Sequence, residues 1–339
     1  MDDLLSDALR QLLEDKCTAQ LVRSVEAGQS PADFWSRLEE SGFADALVSE
    51  TDGGAGLALS DVFPLLELCG AFAVPVPLAH TMFARSLLAL AGVERPHGSI
   101  GIASVTALES GGIRCSLAPF GRVADWVLTS VEGASLLLAV AHARATPGVF
   151  PLDATLEWSE TAVAQAQRVA GSHDLEALQA CSAAAQISGA LMNVFGRTLQ
   201  YANERQQFGR PIGKFQAIQH QLSVLSEHTF AARMAAQIGC HSASSMPDRM
   251  RVAVAKARTS EAALEVAALA HSIHGAIGFT AEFDLQLYTR RLHAWRQAAG
   301  SESYWHAVLG EELVDRRGGL ALDLIRATTD LHSIQRNTS

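Results

Sequence analysis

Lysine is almost absent from this sequence. Only Lys16, Lys214 and Lys256 occur in 339 residues, although the chain carries 26 basic and 36 acidic side chains. The arginines are scattered and the formal net charge is −10. That argues against a nucleic-acid binder, which needs a basic face to meet phosphates. Cysteine is scarce as well. The five, at 17, 69, 115, 181 and 240, are widely spaced and form no CxxC pair, which points to reduced thiols and a cytoplasmic setting. Apolar runs such as "ASLLLAVA" at 134–141 are far too short to cross a bilayer, so no membrane partner is expected. The N-terminal "MDDLLSDALRQLLEDK" is acidic and amphipathic and lacks the basic start and apolar stretch of a signal peptide.

Familiar nucleotide and nucleophile signatures are missing too. No GxGxxG follows a strand-like run and no Walker A segment occurs, so Rossmann or P-loop nucleotide binding has little support; there is no GxSxG either. His271 and His274 form an HxxH, but no nearby carboxylate or third ligand completes a metal site. A structural or surface role is the expectation for that pair.

What is present is globular. Hydrophobic residues make up 48% and charged residues 18%, enough for two or three packed domains. Leu5, Ala8, Leu9, Leu12 and Leu13 fall on one helical stripe. A second helix is expected after Ser30, with Pro31 at its first position and an end at Gly42. Ser60 and Asp61 offer a cap for the apolar segment that follows the Gly-rich loop "SETDGGAGLALSD". Between about 99 and 168 the texture changes to short β-branched or alternating runs: "SIGIASVTAL", "GIRCSLAPF", "DWVLTSV" and "SLLLAVA". From 172 the helical period returns. Leu178, Cys181, Ala185, Ser188, Met192, Phe195, Leu199 and Ala202 mark one face of a long helix that ends near Arg205. Ile218, Leu222, Leu225, Thr229, Ala232 and Ala236 mark a second, residues 248–273 a third, and two more helical stretches run to about 327. Long helices joined by short turns predict an antiparallel bundle, with many alanines to let the helices approach.

Two turns of this bundle carry more than turn chemistry requires: "RQQFGRPIG" from 205 and "HGAIGFTAE" from 274. A guanidinium grips a pyrophosphate bidentately, an aromatic ring lies against a planar group, and glycine lets backbone come close to a ligand. On residues alone, an anionic cofactor site and ordinary turns both remain open.

The longer segments "ANERQQFGRPIGKFQAIQHQLS", "HSIHGAIGFTAEFDLQLYTRR" and "LEESGFADALVSETDGGAGLALSD" resemble the acyl-CoA dehydrogenase family. The resemblance covers the first 90 or so residues and nearly all of 172–330, and touches the middle mainly through "VADWVLTS". It implies a mostly α fold with a small β domain: an N-terminal helical domain (1–98), a reduced β domain (99–168) and a C-terminal four-helix-type bundle (169–339). It also implies FAD as cofactor, an acyl-CoA substrate and an electron-transfer flavoprotein as acceptor. Arg205, Gln207 and Phe208 then match the clamp that one subunit places on its neighbour's flavin. His274, Gly275 and Gly278 match the turn that packs on the ADP part of the same cofactor, with Ser272 standing for an expected Gln and Ala276 for an expected Gly.

The family's catalytic Glu has no counterpart. One of its positions is Ala299, before Gly300, and the other, counted back from Arg205, is Gln179. Glu176, one turn from Gln179, is the substitute candidate, with Glu302 behind it. The flavin-side loops of the family find no match between 99 and 168, where only "LEWSETA" offers a Trp-Ser. The pattern resembles the smaller, non-catalytic chain of a heteromeric α2β2 acyl-CoA dehydrogenase, partnered by a larger homologous chain; in such assemblies some branches act on thioesters of sterol side chains. Two alternatives stand beside it: a homo-oligomeric (self-tetramer) dehydrogenase with a non-standard base, and a flavin-free scaffold or acyl-CoA-binding protein.

Overall fold

The computed structural model describes residues 2–131, 133–171, 173–317 and 320–330. Helices come first: α1 (Asp2–Lys16), α2 (Ala19–Glu26), α3 (Ala32–Glu40), α4 (Leu59–Ala71) and α5 (Leu78–Leu90). On α1, Leu9 and Leu13 are fully buried, Leu5 and Leu12 pack beside them, and Ala8 is exposed. Burying a leucine contributes about 1.5–3 kcal/mol, so Leu9 and Leu13 are the main anchors of this helix on the core. Pro31 is the cap of α3 and lies one residue outside it; Gly42, at φ 78, follows its end. Ser60 does not cap α4. The helix starts at Leu59 with Ala58 before it, and the Ser60 hydroxyl instead donates to the Ser242 carbonyl at 3.0 Å and accepts the Ser242 N–H at 3.0 Å. It ties the helix start to a distant loop.

The middle of the chain folds as two sheets. Their strands are β1 (Ile100–Ile102), β2 (Thr106–Ala107), β3 (Ile113–Ala118), β4 (Trp126–Val131), β5 (Ala134–Ala139), β6 (Arg144–Pro147), β7 (Ala154–Trp158) and β8 (Gln167–Val169), with a short α6 (Glu160–Ala164) before the last. One sheet has the order β1-β4-β5-β8 and the other β2-β3-β7-β6. Among the described residues only β1 and β4 run parallel. The strand runs read from sequence match β1 to β5; β6, β7 and β8 escaped that reading. β6 is exposed throughout and contains Pro147, and β8 is three residues long, so neither has an apolar alternation to read. Val127, Leu136 and Leu138 of the first sheet meet Ile113, Cys115, Leu156 and Trp158 of the second. The opposite face of the first sheet, through Ile100, Ile102, Leu128 and Leu137, joins the helical core. Alternation along β4 and β5 thus serves two cores at once.

The bundle follows: α7 (Leu175–Glu204), a hairpin of β9 (Gln206–Gln207) and β10 (Arg210–Pro211), then α8 (Gln216–Gly239), α9 (Arg249–His274), α10 (Leu285–Gln297), α11 (Glu302–Glu311) and α12 (Ala321–Thr329). Asp174 caps α7, accepting the Ala177 N–H at 3.0 Å. Far from showing one buried stripe, α7 is buried on every side from Ala177 to Leu191, because α4, α8, α9 and α10 all pack on it. Glycine makes the closest of these approaches possible. A Cβ on Gly189 would sit 1.8 Å from the Glu67 carbonyl oxygen, and one on Gly70 would sit 1.8 Å from that of Gln186. By length and composition, Arg249–Phe279 is long and apolar enough to cross a membrane, which corrects the expectation that no apolar segment reaches that length. In this fold α9 lies against α7, α8, α10 and α11.

Candidate functional site

The long helix α7 ends where its sequence changes from alanine-rich to polar. Arg205 is the C-cap; its N–H reaches back to Tyr201 O at 2.8 Å, and its carbonyl accepts from Ile212 N at 2.8 Å. Between these bonds the chain makes a two-residue hairpin, with Gln207 paired to Arg210. Both loop residues are left-handed, Phe208 at φ 51 and Gly209 at φ 78, as a twisted hairpin requires. Glycine takes that conformation freely; phenylalanine does so at a cost of roughly 1–2 kcal/mol. The outcome is a ring held out into solvent, 92% exposed. Behind it, Arg210 lies over the Phe215 ring at 4.3 Å.

The second turn leaves α9 at His274. Gly275 follows at φ 65, ψ −145, a region open essentially to glycine alone. The His274 imidazole donates from Nδ1 to the Ala270 carbonyl at 2.7 Å. Its Nε2 is buried and unpaired among the described residues. Burial holds both His274 and His271 below the usual imidazole range, so both rings are neutral near pH 7. His271 stacks on Phe279 at 4.3 Å and shares a hydrogen bond of 3.0 Å with Thr289 Oγ1.

Tertiary packing brings these two turns to one cleft of about 550 Å³. Arg205, Gln207 and Phe208 line one side; Ser272, His274, Gly275 and Ala276 line the other. Ala202, Ile212 and Ile273 form a small apolar cluster of their own with Tyr201 and Phe215 packed on it. Among the described residues no carboxylate pairs with the Arg205 guanidinium, leaving its donors for an anion. Gly278 does not line the cleft. It is buried, and a Cβ there would press on His274 Cβ at 3.1 Å and His271 Nδ1 at 3.2 Å, so it serves helix packing. Tyr201, which does line the cleft, escaped the sequence reading; its place four residues before Arg205, on the same helical face, was the available signal.

A second cleft, of about 280 Å³, opens between the β2–β3 sheet and the bundle. Gln179 and Ala299 both line it. Neither holds an acid, and Gln179 is 4% exposed. Glu176 lines neither cleft. It sits on the first turn of α7, where Arg249 donates to it at 2.8 Å and the Tyr304 hydroxyl at 2.6 Å. Glu302 is likewise engaged, by Arg296. Trp158 lies in the core between the sheets, 1% exposed, with its indole N–H on Ala139 O at 2.9 Å. The carboxyl that does line the second cleft is Asp153. Burial pushes it up to about 6, against the opposing pull of the Phe120 N–H and Arg291. No local sequence signal marks Asp153; it stands in the loop before β7, and only the tertiary fold sets it in a cleft with Ala294 of α10.

A family model, the C-terminal domain of acyl-CoA dehydrogenase, matches residues 177–313. Acyl-CoA dehydrogenase IpdE2 of Mycolicibacterium smegmatis is 30% identical over 305 residues, 88% of this chain and 94% of that protein. IpdE2 of Mycobacterium tuberculosis is 29% identical, with 87% and 91% covered. Among solved structures, the ChsE4–ChsE5 complex from Mycobacterium tuberculosis superposes with a TM-score of 0.79 at 22% identity, covering 93% of this chain and 97% of that one. A Tcur3481–Tcur3483 steroid ACAD variant does so with 0.80 at 25% identity, covering 94% and 99%.

Proposed function

The chain belongs to the acyl-CoA dehydrogenase family, and from that premise we propose that it is the smaller subunit of a heteromeric enzyme. In this reading it closes the nucleotide end of an FAD site whose ring pocket and catalytic Glu belong to a larger homologous partner. The reaction is α,β-dehydrogenation of a CoA thioester, with electrons passed on to an electron-transfer flavoprotein. Two of its structural neighbours are two-chain complexes, one of them named for steroids, which favours an unlike partner and a bulky, steroid-like acyl group.

The observation that carries this reading is the contrast between the two clefts. Residues suited to a diphosphate and a planar base gather in the first: an unpaired guanidinium, an exposed ring and a glycine-only turn. The second has Gln179 and Ala299 where a proton acceptor is needed. A bound FAD would supply the hydride acceptor for the β-hydrogen. Arg205 would hold its diphosphate with two parallel N–H donors, Phe208 would cover a ring face, and the backbone at Gly275 would approach the ADP part without a side chain in the way. An amide cannot take the α-proton at neutral pH, so proton removal falls to the partner.

Co-expression with the larger homologous chain tests the proposal. One flavin per pair of unlike chains, lost in Arg205→Ala, is the expected result; a yellow protein from this chain alone would overturn it. A second reading, an autonomous enzyme, has Asp153 in its favour, a carboxyl with a raised pKa in the second cleft. It predicts thioester-dependent bleaching of the lone chain, abolished in Asp153→Asn.

A further inference from the structure

The two walls of the first cleft come from different helices, and one side chain joins them. Tyr201 is on the last turn of α7. Its ring lies on the His274 imidazole, with centroids 4.4 Å apart and 23° between the planes. Its hydroxyl donates to the His274 carbonyl at 3.4 Å. Phe283 borders both rings, 6.0 Å from Tyr201 and 5.0 Å from His274. The carbonyl that Tyr201 holds is the one immediately before Gly275, where the chain turns at φ 65.

We propose that Tyr201 is a positioning residue for the nucleotide end of the flavin, fixing the 274–277 turn at a set distance from the Arg205 guanidinium. This rests on the reading of the first cleft given above. His274 is gripped from both sides, by Ala270 of its own helix through Nδ1 and by Tyr201 through its ring face and its carbonyl. The imidazole is neutral because burial disfavours its charged form, so it offers Tyr201 an uncharged face to stack on. Arg205 follows Tyr201 by one helical turn and its N–H is bonded to the Tyr201 carbonyl. A shift of the Tyr201 ring therefore moves the guanidinium and the glycine turn relative to each other, and a diphosphate bound between them is sensitive to that spacing.

The experiment is an FAD titration of the co-expressed complex, followed by flavin fluorescence, with urea unfolding of each variant alongside. Tyr201→Leu, which removes the ring, is expected to weaken FAD by about tenfold or more, and Tyr201→Phe, which removes only the hydroxyl, by about threefold, with unfolding midpoints close to that of the parent. If Tyr201→Leu keeps FAD at the parental affinity, or loses it only in step with its unfolding midpoint, the positioning role is wrong. Arg205→Ala in the same assay separates the two claims. FAD retained there overturns the assignment of the cleft itself; FAD lost there but kept in Tyr201→Leu overturns Tyr201 alone.

Discussion

Gly189 of α7 lies against Glu67 of α4 so closely that a methyl carbon on it would sit 1.8 Å from the Glu67 carbonyl oxygen. Seven residues further along the same helix, Gly196 is exposed and has nothing within 4 Å of the corresponding point. The same substitution therefore has opposite signs at the two sites. Gly196→Ala is expected to stabilise the protein by roughly 0.5–1 kcal/mol, the helix preference of alanine over glycine. Gly189→Ala must push two helices apart in the middle of the core and is expected to yield little folded protein. Urea denaturation and soluble yield check the pair.

Phe208 holds a left-handed backbone, φ 51, at the tip of its hairpin. Phe208→Gly relieves about 1 kcal/mol of strain while deleting the exposed ring. The expected result is an unfolding midpoint equal to or above the parent, together with weaker FAD retention in the complex. A variant that gains stability and keeps its flavin would mean that the ring has no ligand to serve.

Gly275 has no neighbour that a methyl group would strike, yet its φ 65, ψ −145 are closed to other residues. Gly275→Ala should cost roughly 1–3 kcal/mol through the backbone alone. Because the turn must then relax to a different path, FAD binding in the complex is expected to fall more than for a surface substitution of equal stability cost.

Lys256 is fully buried, with its ammonium on Arg296 O at 2.9 Å, Gly300 O at 2.8 Å and Ser260 Oγ at 3.0 Å. Burial lowers it to about 7, Glu302 opposing. The unfolded value is about 10.4, so between those limits the unfolded chain binds more protons and stability rises with pH. Lys256→Met leaves two carbonyls unpaired and is expected to be less stable throughout, but without that rise. Urea midpoints at pH 7 and pH 9 give the comparison.

Asp153 runs the other way. Its folded value of about 6 lies above the unfolded value of about 3.9, so the folded chain binds more protons between them. The stability that neutral Asp153 contributes is complete below about pH 4 and is lost as pH rises through about 6. Asp153→Asn should match the parent near pH 4 and exceed it by on the order of 3 kcal/mol above pH 7. Equal stability at both pH values would show that the carboxyl is not held neutral.

Much of this could be read along the chain. The period of α7 and its end at Arg205, the turn chemistry of 205–213, and the strands from Ile100 to Ala139 are local properties, set by side-chain spacing and by glycine and proline. So is the lack of an acid at positions 179 and 299, since a residue's identity needs no fold. Other features depend on which surfaces meet. The first half of α7, from Ala177 to Leu191, is buried on all sides, because four helices converge on its small side chains. Glu176 reads as a spare acid until Arg249 and Tyr304 claim it. Sequence placed Arg205 and His274 in two turns 69 residues apart. Their meeting across one cleft, with Tyr201 between them, was decided by helix packing, since long-range contacts follow from the shape of the whole core and leave no mark in local periodicity.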